Sequence, residues 1–344
     1  TQNLNKPHKN FVDVGELVGA EPIGVKATTD TDELVALDAD CVVHTPVGQP
    51  LLNELDADVI RLLESGKNLV STQSYHYPAG RELYPEWREA ESLERLEEAC
   101  QTGGVTLHGA GIHPSFVFER LVMTLTGLLT EVDHVRIVEA ADAIEPSSVM
   151  SPFVQQLLGF GADPAIVNTD FPGAIGTDPY YKEVICYAAN RLFGAGVHDV
   201  RFEHEYKGLP GDGEFDVGGH EVKPGTVQRL CIIHRGYLGD HHFFTNEEYW
   251  YMGEGNRYFG EDAPPFGPTS STHDYIIELK GKPADIRMQM DLRSTMPDDR
   301  PVITYASAVT LLQSIVPVTE AEPGILYHEV EPHAAADYRT AVHA

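Results

Sequence analysis

The chain has 344 residues, 42% of them hydrophobic, and a formal net charge of −29 from 53 acidic against 24 basic side chains. So acidic a surface repels phosphodiester backbones and anionic lipid, which excludes nucleic acid and a membrane surface as partners, and no apolar run is expected to be long enough to cross a bilayer. The length exceeds what one core usually serves, so two domains are expected.

The first ten residues hold no hydrophobic signal core, which points to a cytoplasmic protein. Cys41, Cys100, Cys186 and Cys231 show no C-x-x-C spacing and fit free thiols in a reducing compartment. Strand and helix then alternate, the pattern of a parallel sheet. Residues 24–28 read as a short strand and 30–37 as a helix. Residues 41–45 are a buried strand running into Pro46-Val47-Gly48, 51–64 a helix closed by Ser65-Gly66, and 68–72 the next strand. A charged amphipathic helix over 87–100 stops at Gly103-Gly104. The strand 105–108 follows, leading into Gly109-Ala110-Gly111-Ile112-His113-Pro114-Ser115-Phe116 and a helix over 115–129.

From about residue 130 the pattern changes. A strand at 134–140 and helices at 149–160 and 180–193 precede strands at 200–206, 226–235, 243–252, 275–279 and 286–292, with hairpin-like turns at Gly211-Asp212-Gly213 and Gly218-Gly219. Residues 254–272 form a long Gly- and Pro-rich loop, a candidate lid or oligomer contact. A helix over 302–315 is expected to pack back on the first domain.

Ligands of open parallel sheets bind beyond the carboxyl ends of the strands, which puts Gly109 to Pro114 where a cofactor or substrate lies. Dinucleotide-binding domains open with a strand, G-x-G-x-x-G and a helix, whose backbone N–H groups hold the diphosphate. Neither Gly109-Ala110-Gly111 nor Gly159-Phe160-Gly161 ends in the third glycine. Residues 1–10 read as the end of a second strand, so a first strand–helix unit of roughly 30 residues is expected to be missing, through truncation or because dinucleotide binding is not at full strength.

With the Gly109 to Phe116 turn placed after the sixth strand of such a domain, the chain resembles the dihydrodipicolinate-reductase-like oxidoreductases, a group that includes 2,4-diaminopentanoate dehydrogenase and the native amine dehydrogenases. Asp13-Val14-Gly15-Glu16-Leu17, Gly24-Val25-Lys26-Ala27-Thr28, Leu62-Leu63-Glu64-Ser65-Gly66-Lys67-Asn68, Glu139-Ala140-Ala141-Asp142 and Gly159-Phe160-Gly161 follow in the matching order. The resemblance implies an α/β fold. A Rossmann-type parallel-sheet domain (1–130, its first strand–helix unit missing) precedes an α+β substrate and dimerisation domain with a mixed, largely antiparallel sheet (131–300) and a C-terminal helix and tail (301–344). It also implies NADP or NAD as cofactor, a homodimer, and hydride transfer to a C=N or C=O of a small ketone, imine or amine, most specifically reductive amination.

Carried onto this chain, the resemblance puts Thr45, Pro46 and Val47 at the cofactor's border and Ser71, Thr72 and Gln73 near the nicotinamide. Gly109, Gly111, His113 and Pro114 line the nicotinamide pocket, while Lys6, His8 and Lys9 are either a 2′-phosphate site or ordinary loop charges. One departure stands out. Amine-forming members carry a glutamate in the loop after the fifth strand, and here that loop reads Ser71-Thr72-Gln73-Ser74-Tyr75-His76-Tyr77.

Hydride transfer asks the protein for alignment and for one or two donors at the heteroatom. His113 is the first candidate, as proton donor or polar anchor, against a role in capping the turn. Tyr75 and His76 are candidates to replace the absent glutamate, against simple loop packing. Glu139 and Asp142 are candidates to hold an iminium or ammonium, and Met150 and Phe153 to form an apolar substrate wall, against hydrogen bonding and core packing. His241 and His242 point to opposite faces of a strand, so no metal is expected. A reductase of a carbonyl or cyclic imine without ammonia, and a non-catalytic binding protein on the same fold, remain as alternatives.

Overall fold

The computed structural model describes residues 12–46, 52–73, 75–83, 91–144, 152–261, 263, 273–296 and 302–327. The chain enters through α1 (Val14–Leu17), capped by Asp13, and α2 (Thr31–Ala36). The strand expected over 24–28 is reduced to one bridge between Asp13 and Lys26. The cause is local: the Asp13 carboxylate gathers the N–H groups of Ile23 (2.9 Å) and Gly24 (2.7 Å), folding the segment into a loop.

Regular alternation begins at β1 (Cys41–His44), followed by α3 (Leu52–Glu64), β2 (Asn68–Ser71), α4 (Ser92–Gly103) and β3 (Thr106–Gly109). β1, β2 and β3 pair in parallel in that order. Val59, Leu63, Leu96 and Ala99 of α3 and α4 bury against Leu69 and Leu107, which covers one face of this sheet.

Beyond β3 a loosely wound helix, Ile112–Val122, runs into the short α5 (Met123–Leu125) and then β4 (Glu131–Asp142). α6 (Pro152–Leu158) and α7 (Pro172–Phe193) come next. α7 begins two turns before the expected start, because Pro179 and the glycines 173 and 176 read as breaks in the sequence. Pro172 opens the helix instead, and Gly173 lets it approach α6 so closely that a Cβ there would stand 2.7 Å from the Leu157 carbonyl oxygen.

The second sheet is completed by β5 (Val200–Pro210), β8 (Val227–Leu238), β9 (His241–Tyr251), β10 (His273–Lys282) and β11 (Ile286–Leu292), while β6 (Phe215–Val217) and β7 (His220–Val222) form a separate hairpin. Its order is β11-β10-β4-β9-β8-β5, and every pair is antiparallel except β4 with β9. The fold is thus α/β with a parallel sheet followed by a mixed sheet. One face of the mixed sheet (Val135, Ile137, Phe244, Ile277) packs on Val117, Phe118, Val184, Ile185 and Ala188 of the helices. That face positions the site.

α8 (Val302–Glu320) returns to the parallel sheet, where Leu311 and Val318 bury with Val70 and Ala110, and β12 (Gly324–Ile325) adds a fourth parallel strand beside β3. Contrary to the expectation of no such run, α8 is long and apolar enough to cross a membrane by length and composition, with Leu312 and Val316 exposed. All four cysteines are free.

Candidate functional site

The carboxyl ends of β1, β2 and β3 form one rim. Ser71 Oγ lies 2.9 Å from His44 Nδ1 and accepts the Gln73 N–H at 3.1 Å, and Gln73 Nε2 donates to the Pro46 carbonyl at 3.1 Å. From α7, the Tyr180 hydroxyl donates to the Thr72 carbonyl at 3.1 Å, tying the second sheet's helix layer to the end of β2. Thr45, Pro46, Ser71, Thr72 and Gln73 are therefore neighbours on one edge. Gly109 and Gly111 continue it with different constraints. A Cβ on Gly109 would stand 2.6 Å from the His76 backbone nitrogen, whereas one on Gly111 (φ +155°) would meet nothing within 4 Å. Gly111 thus borders open space at a strand end, and Pro114 lies buried behind it.

His113 links this rim to the mixed sheet. Its backbone is extended before the helix proper, so its ring reaches β9, where Nε2 lies 2.8 Å from Asn246 Oδ1 and 3.1 Å from Glu248 Oε1. Two acceptors at Nε2 require its proton there, which leaves Nδ1 bare; that atom is buried without a partner. Burial holds the His113 pKa below the usual histidine range, although Glu139 and the Asn246 bond oppose it.

Register brings the remaining groups together. Glu139 on β4 is directly opposite Glu248 in the parallel pair and opposite Tyr275 in the antiparallel pair, so the three stand in a row across three strands. His273 precedes Tyr275 by two residues on the same face; its Nε2 lies 2.5 Å from Glu139 Oε1 and 3.0 Å from the Tyr275 hydroxyl. The Asn246 amide donates to Glu248 Oε1 at 2.7 Å, and the Tyr181 phenol of α7 lies beside the same carboxyl.

Two adjacent buried carboxyls do not both ionise readily. Burial, and then the Glu139 charge, push Glu248 well above the usual carboxylate range. Burial works against ionisation of Glu139 too, but His273, Glu248 and His113 together outweigh it and hold Glu139 below that range. The two shifts run in opposite directions, which favours the proton on Glu248 over Glu139.

The other expected residues are placed elsewhere. Tyr75 turns into the first core: its hydroxyl donates to Asp56 Oδ1 at 2.7 Å, beneath the Arg81 guanidinium, 4.4 Å from the ring centre. His76 is buried beside Gly109, 3.8 Å from Glu119 Oε1, and burial, with the neighbouring His108, lowers its pKa to about 3. Asp142 closes the turn after β4, accepting the N–H groups of Ile144 and Gly253, each at 3.0 Å. Phe153 is 62% exposed on α6. Val47, Met150, Lys6, His8 and Lys9 lie outside the described residues.

Asn246, Glu248, His273, Tyr275 and Tyr181 were not singled out from sequence. The unbroken polar run Thr245-Asn246-Glu247-Glu248 does not tell which of its residues face inward, and nothing local announces that Glu248 pairs with Glu139. A second polar group lies farther along the same sheet face: Asp178 Oδ1 is 3.2 Å from His234 Nε2 and 3.6 Å from His204 Nδ1, with Lys182 Nζ 2.6 Å from Asp178 Oδ2. A cleft of about 570 Å³ between the 210–213 turn and residues 252–256 shares none of these residues.

No family model matches the chain. An amine dehydrogenase of Streptomyces virginiae is 31% identical over 140 residues, a stretch covering 40% of this chain and 38% of that relative's length. The solved amine dehydrogenase of Mycobacterium smegmatis overlays on 93% of this chain and 84% of its own, with a TM-score of 0.63 and 19% identity. The likeness is one of fold. GenD2 from gentamicin A biosynthesis, solved in complex with NAD, matches with a TM-score of 0.41 and 14% identity over 93% of this chain and 81% of its own.

Proposed function

We propose that the protein is an NAD(P)H-dependent oxidoreductase that reduces a C=N or C=O bond of a small substrate, its most specific form being an amine dehydrogenase that joins ammonia to a ketone or aldehyde. One observation carries this reading. A buried His–Glu–Glu–Tyr cluster stands next to an open glycine turn at the carboxyl ends of a parallel sheet, where such folds place the reacting end of a dinucleotide. The local sequence match to one amine dehydrogenase and the fold shared with another point the same way.

The residues on the rim fit a nicotinamide. Gly111 leaves backbone uncovered for a flat ring, and Thr45, Pro46, Thr72 and Gln73 offer polar backbone and side-chain groups beside it. The cofactor would supply hydride. The chain's own residues would orient the substrate against that face, exclude water through burial, and hold a proton at Glu248. A reading without free ammonia keeps the same cofactor, and the absence of a carboxylate in the described part of the loop after β2 favours it.

The test is to titrate the protein with NADH and NADPH by nicotinamide fluorescence, then assay ketones with and without ammonium. Binding together with ammonium-dependent turnover supports the amine-forming version. Turnover indifferent to ammonium removes that version, and absence of nicotinamide binding overturns the whole reading.

A further inference from the structure

Two histidines and a carboxylate meet between α7 and the outer strands of the mixed sheet, apart from the Glu139–Glu248 pair. His204 on β5 and His234 on β8 are directly opposite each other in antiparallel register, so their rings leave the same face and stack with 4.0 Å between centroids. Asp178 comes down on them from α7: its Oδ1 lies 3.2 Å from His234 Nε2 and 3.6 Å from His204 Nδ1. One donor atom from each of the three residues lies within 4.8 Å of the other two. Lys182, one turn along α7, stands 2.6 Å from the second carboxylate oxygen, Oδ2, and leaves Oδ1 to the rings.

A hydrogen-bonded structural triad would give each ring a bond, and this cluster does not. At 3.6 Å the contact of His204 with Asp178 is too long for a hydrogen bond, and its Nε2 is buried without a partner. Among the described residues that imidazole holds no hydrogen bond, yet its Nδ1 faces a carboxylate beside a second imidazole. A metal ion bound at about 2.0–2.2 Å keeps its ligand atoms roughly 3.2–3.6 Å apart, and Asp178 Oδ1 already stands at that spacing from both rings. Burial also holds both imidazoles below the usual histidine range, His204 at about 4, so each is neutral at pH 7 and has a lone pair to give.

We propose that Asp178, His204 and His234 bind a divalent transition-metal ion of the zinc class. Two imidazole nitrogens and one carboxylate oxygen suit zinc, cobalt or nickel, whereas magnesium and calcium prefer oxygen alone. Lys182 orients the ligating carboxylate through Oδ2. The proton that His234 Nε2 directs at Asp178 moves to Nδ1 when Nε2 takes the ion. The side chains of Asp178 and His204 are 18% and 15% exposed, against 1% for His234, so the ion enters from their side and water completes its shell there.

The ion ties α7 to β5 and β8. Tyr181 of α7 lies within that tie, its ring 5.0 Å from His234 and its phenol beside Glu248. The three ligands come from three separate elements, so no spacing in the sequence displays them, and the adjacent pair His241-His242 takes no part. The site needs nothing from the oxidoreductase reading and stands or falls without it.

The protein, dialysed against a chelator, is titrated with zinc(II) by calorimetry and with cobalt(II) by visible absorption at pH 7.5. One equivalent per chain is expected to bind, and excess magnesium should not displace it. His204→Gln and His234→Gln should each lower the affinity for that equivalent by about 100-fold or more, at least what loss of an outer-shell partner costs, whereas His241→Gln should leave it intact. Crystals grown with zinc should show anomalous scattering from an ion among Asp178, His204 and His234, a readout on the wild type that holds even if a variant fails to fold. Failure of the wild type to bind an equivalent, undiminished affinity in both variants, or an ion located elsewhere each overturns the proposal.

Discussion

The imidazole of His113 and the carboxyl of Glu248 meet at 3.1 Å, Nε2 to Oε1, across 135 positions of sequence. The Nε2 proton is shared with Asn246 Oδ1, so His113 holds the carboxyl in place and spends its own donor doing so. His113→Ala should lower kcat by about tenfold or more, with a smaller change in KM, because Glu248 keeps only the Asn246 amide at Oε1. His113→Gln, which can return an N–H to the same place, should recover part of the loss. Steady-state kinetics on the ammonium-dependent assay checks both, and unchanged kcat in the alanine variant would reduce His113 to packing.

How far the sequence shows this arrangement depends on distance along the chain. Strand β1 and the helices after it are legible because Cys41-Val42-Val43-His44 and the spacing of Val59 and Leu63 carry their own periodicity. The turn at Gly109 to Pro114 is legible as a strand end opening a helix for the same reason. The cluster facing it is not, since Glu139 and Glu248 become neighbours only through a parallel pairing of β4 with β9, with two α-helices and four strands in between. Tyr75 misled for a related reason: its partner Asp56 is 19 residues upstream on a helix whose inward face the sequence does not assign polar work.

That misreading gives a sharp contrast. Tyr75→Phe removes one hydrogen bond to a buried carboxylate that also receives Arg81 (2.9 Å) and Ser92 (3.0 Å). Stability should fall by about 1–3 kcal/mol, while kcat stays within about twofold because the hydroxyl faces away from the His113 cluster. Denaturant melts and kinetics on one preparation decide it, and a large loss of kcat at unchanged stability would restore Tyr75 to the site.

The two glycines of the turn should respond differently to a methyl group. Gly109→Ala forces a Cβ to within 2.6–2.8 Å of the Tyr75–His76 backbone, which has no flexible end to move aside, so folding itself should suffer. Gly111→Ala meets no neighbour and costs only the backbone strain of its positive φ, roughly 1–2 kcal/mol. Its larger effect should be on nicotinamide affinity, because the methyl enters the space the ring would take. Thermal melts and NADH titrations separate these outcomes, and equal loss of stability in both variants contradicts the assignment of open space at Gly111.

Several histidines are buried in their neutral form, and this sets the acid limit. Burial lowers the pKa of His44 and of His108 to about 4, and that of His76, where His108 adds to the effect, to about 3. The unfolded chain takes up these protons near 6.5 and the folded chain does not. Stability is therefore intact above 6.5 and is lost as pH falls from there toward 4, by up to about 1.4 kcal/mol per pH unit for each group. The melting temperature should decline from pH 6.5 downward as the three histidines outweigh the opposite contribution of Glu248. His108→Gln, at a site where Nδ1 lies 2.8 Å from the Leu326 carbonyl oxygen, should flatten that decline. A melting temperature constant between pH 7.5 and 5 contradicts the neutral burial of these rings.

The carboxyl pair should show opposite signs in the same experiment. Glu248 has a folded pKa above its unfolded value of 4.5, so its stabilising contribution is complete below 4.5 and is lost as pH rises toward the folded pKa. Gln, which never ionises in either state, escapes that loss; Glu248→Gln should match the wild type near pH 5 and become progressively more stable than it toward pH 8. Glu139 has a folded pKa below 4.5, so its contribution is present above 4.5 and is lost as pH falls through the folded value. Glu139→Gln should therefore be less stable than the wild type at neutral pH, with the difference closing in acid. Each shift depends on the other carboxyl, so the double variant should depart from the sum of the single ones. Melting temperatures for the four proteins from pH 5 to 8 supply the comparison, and parallel curves for the two single variants would show that the proton is not held on Glu248.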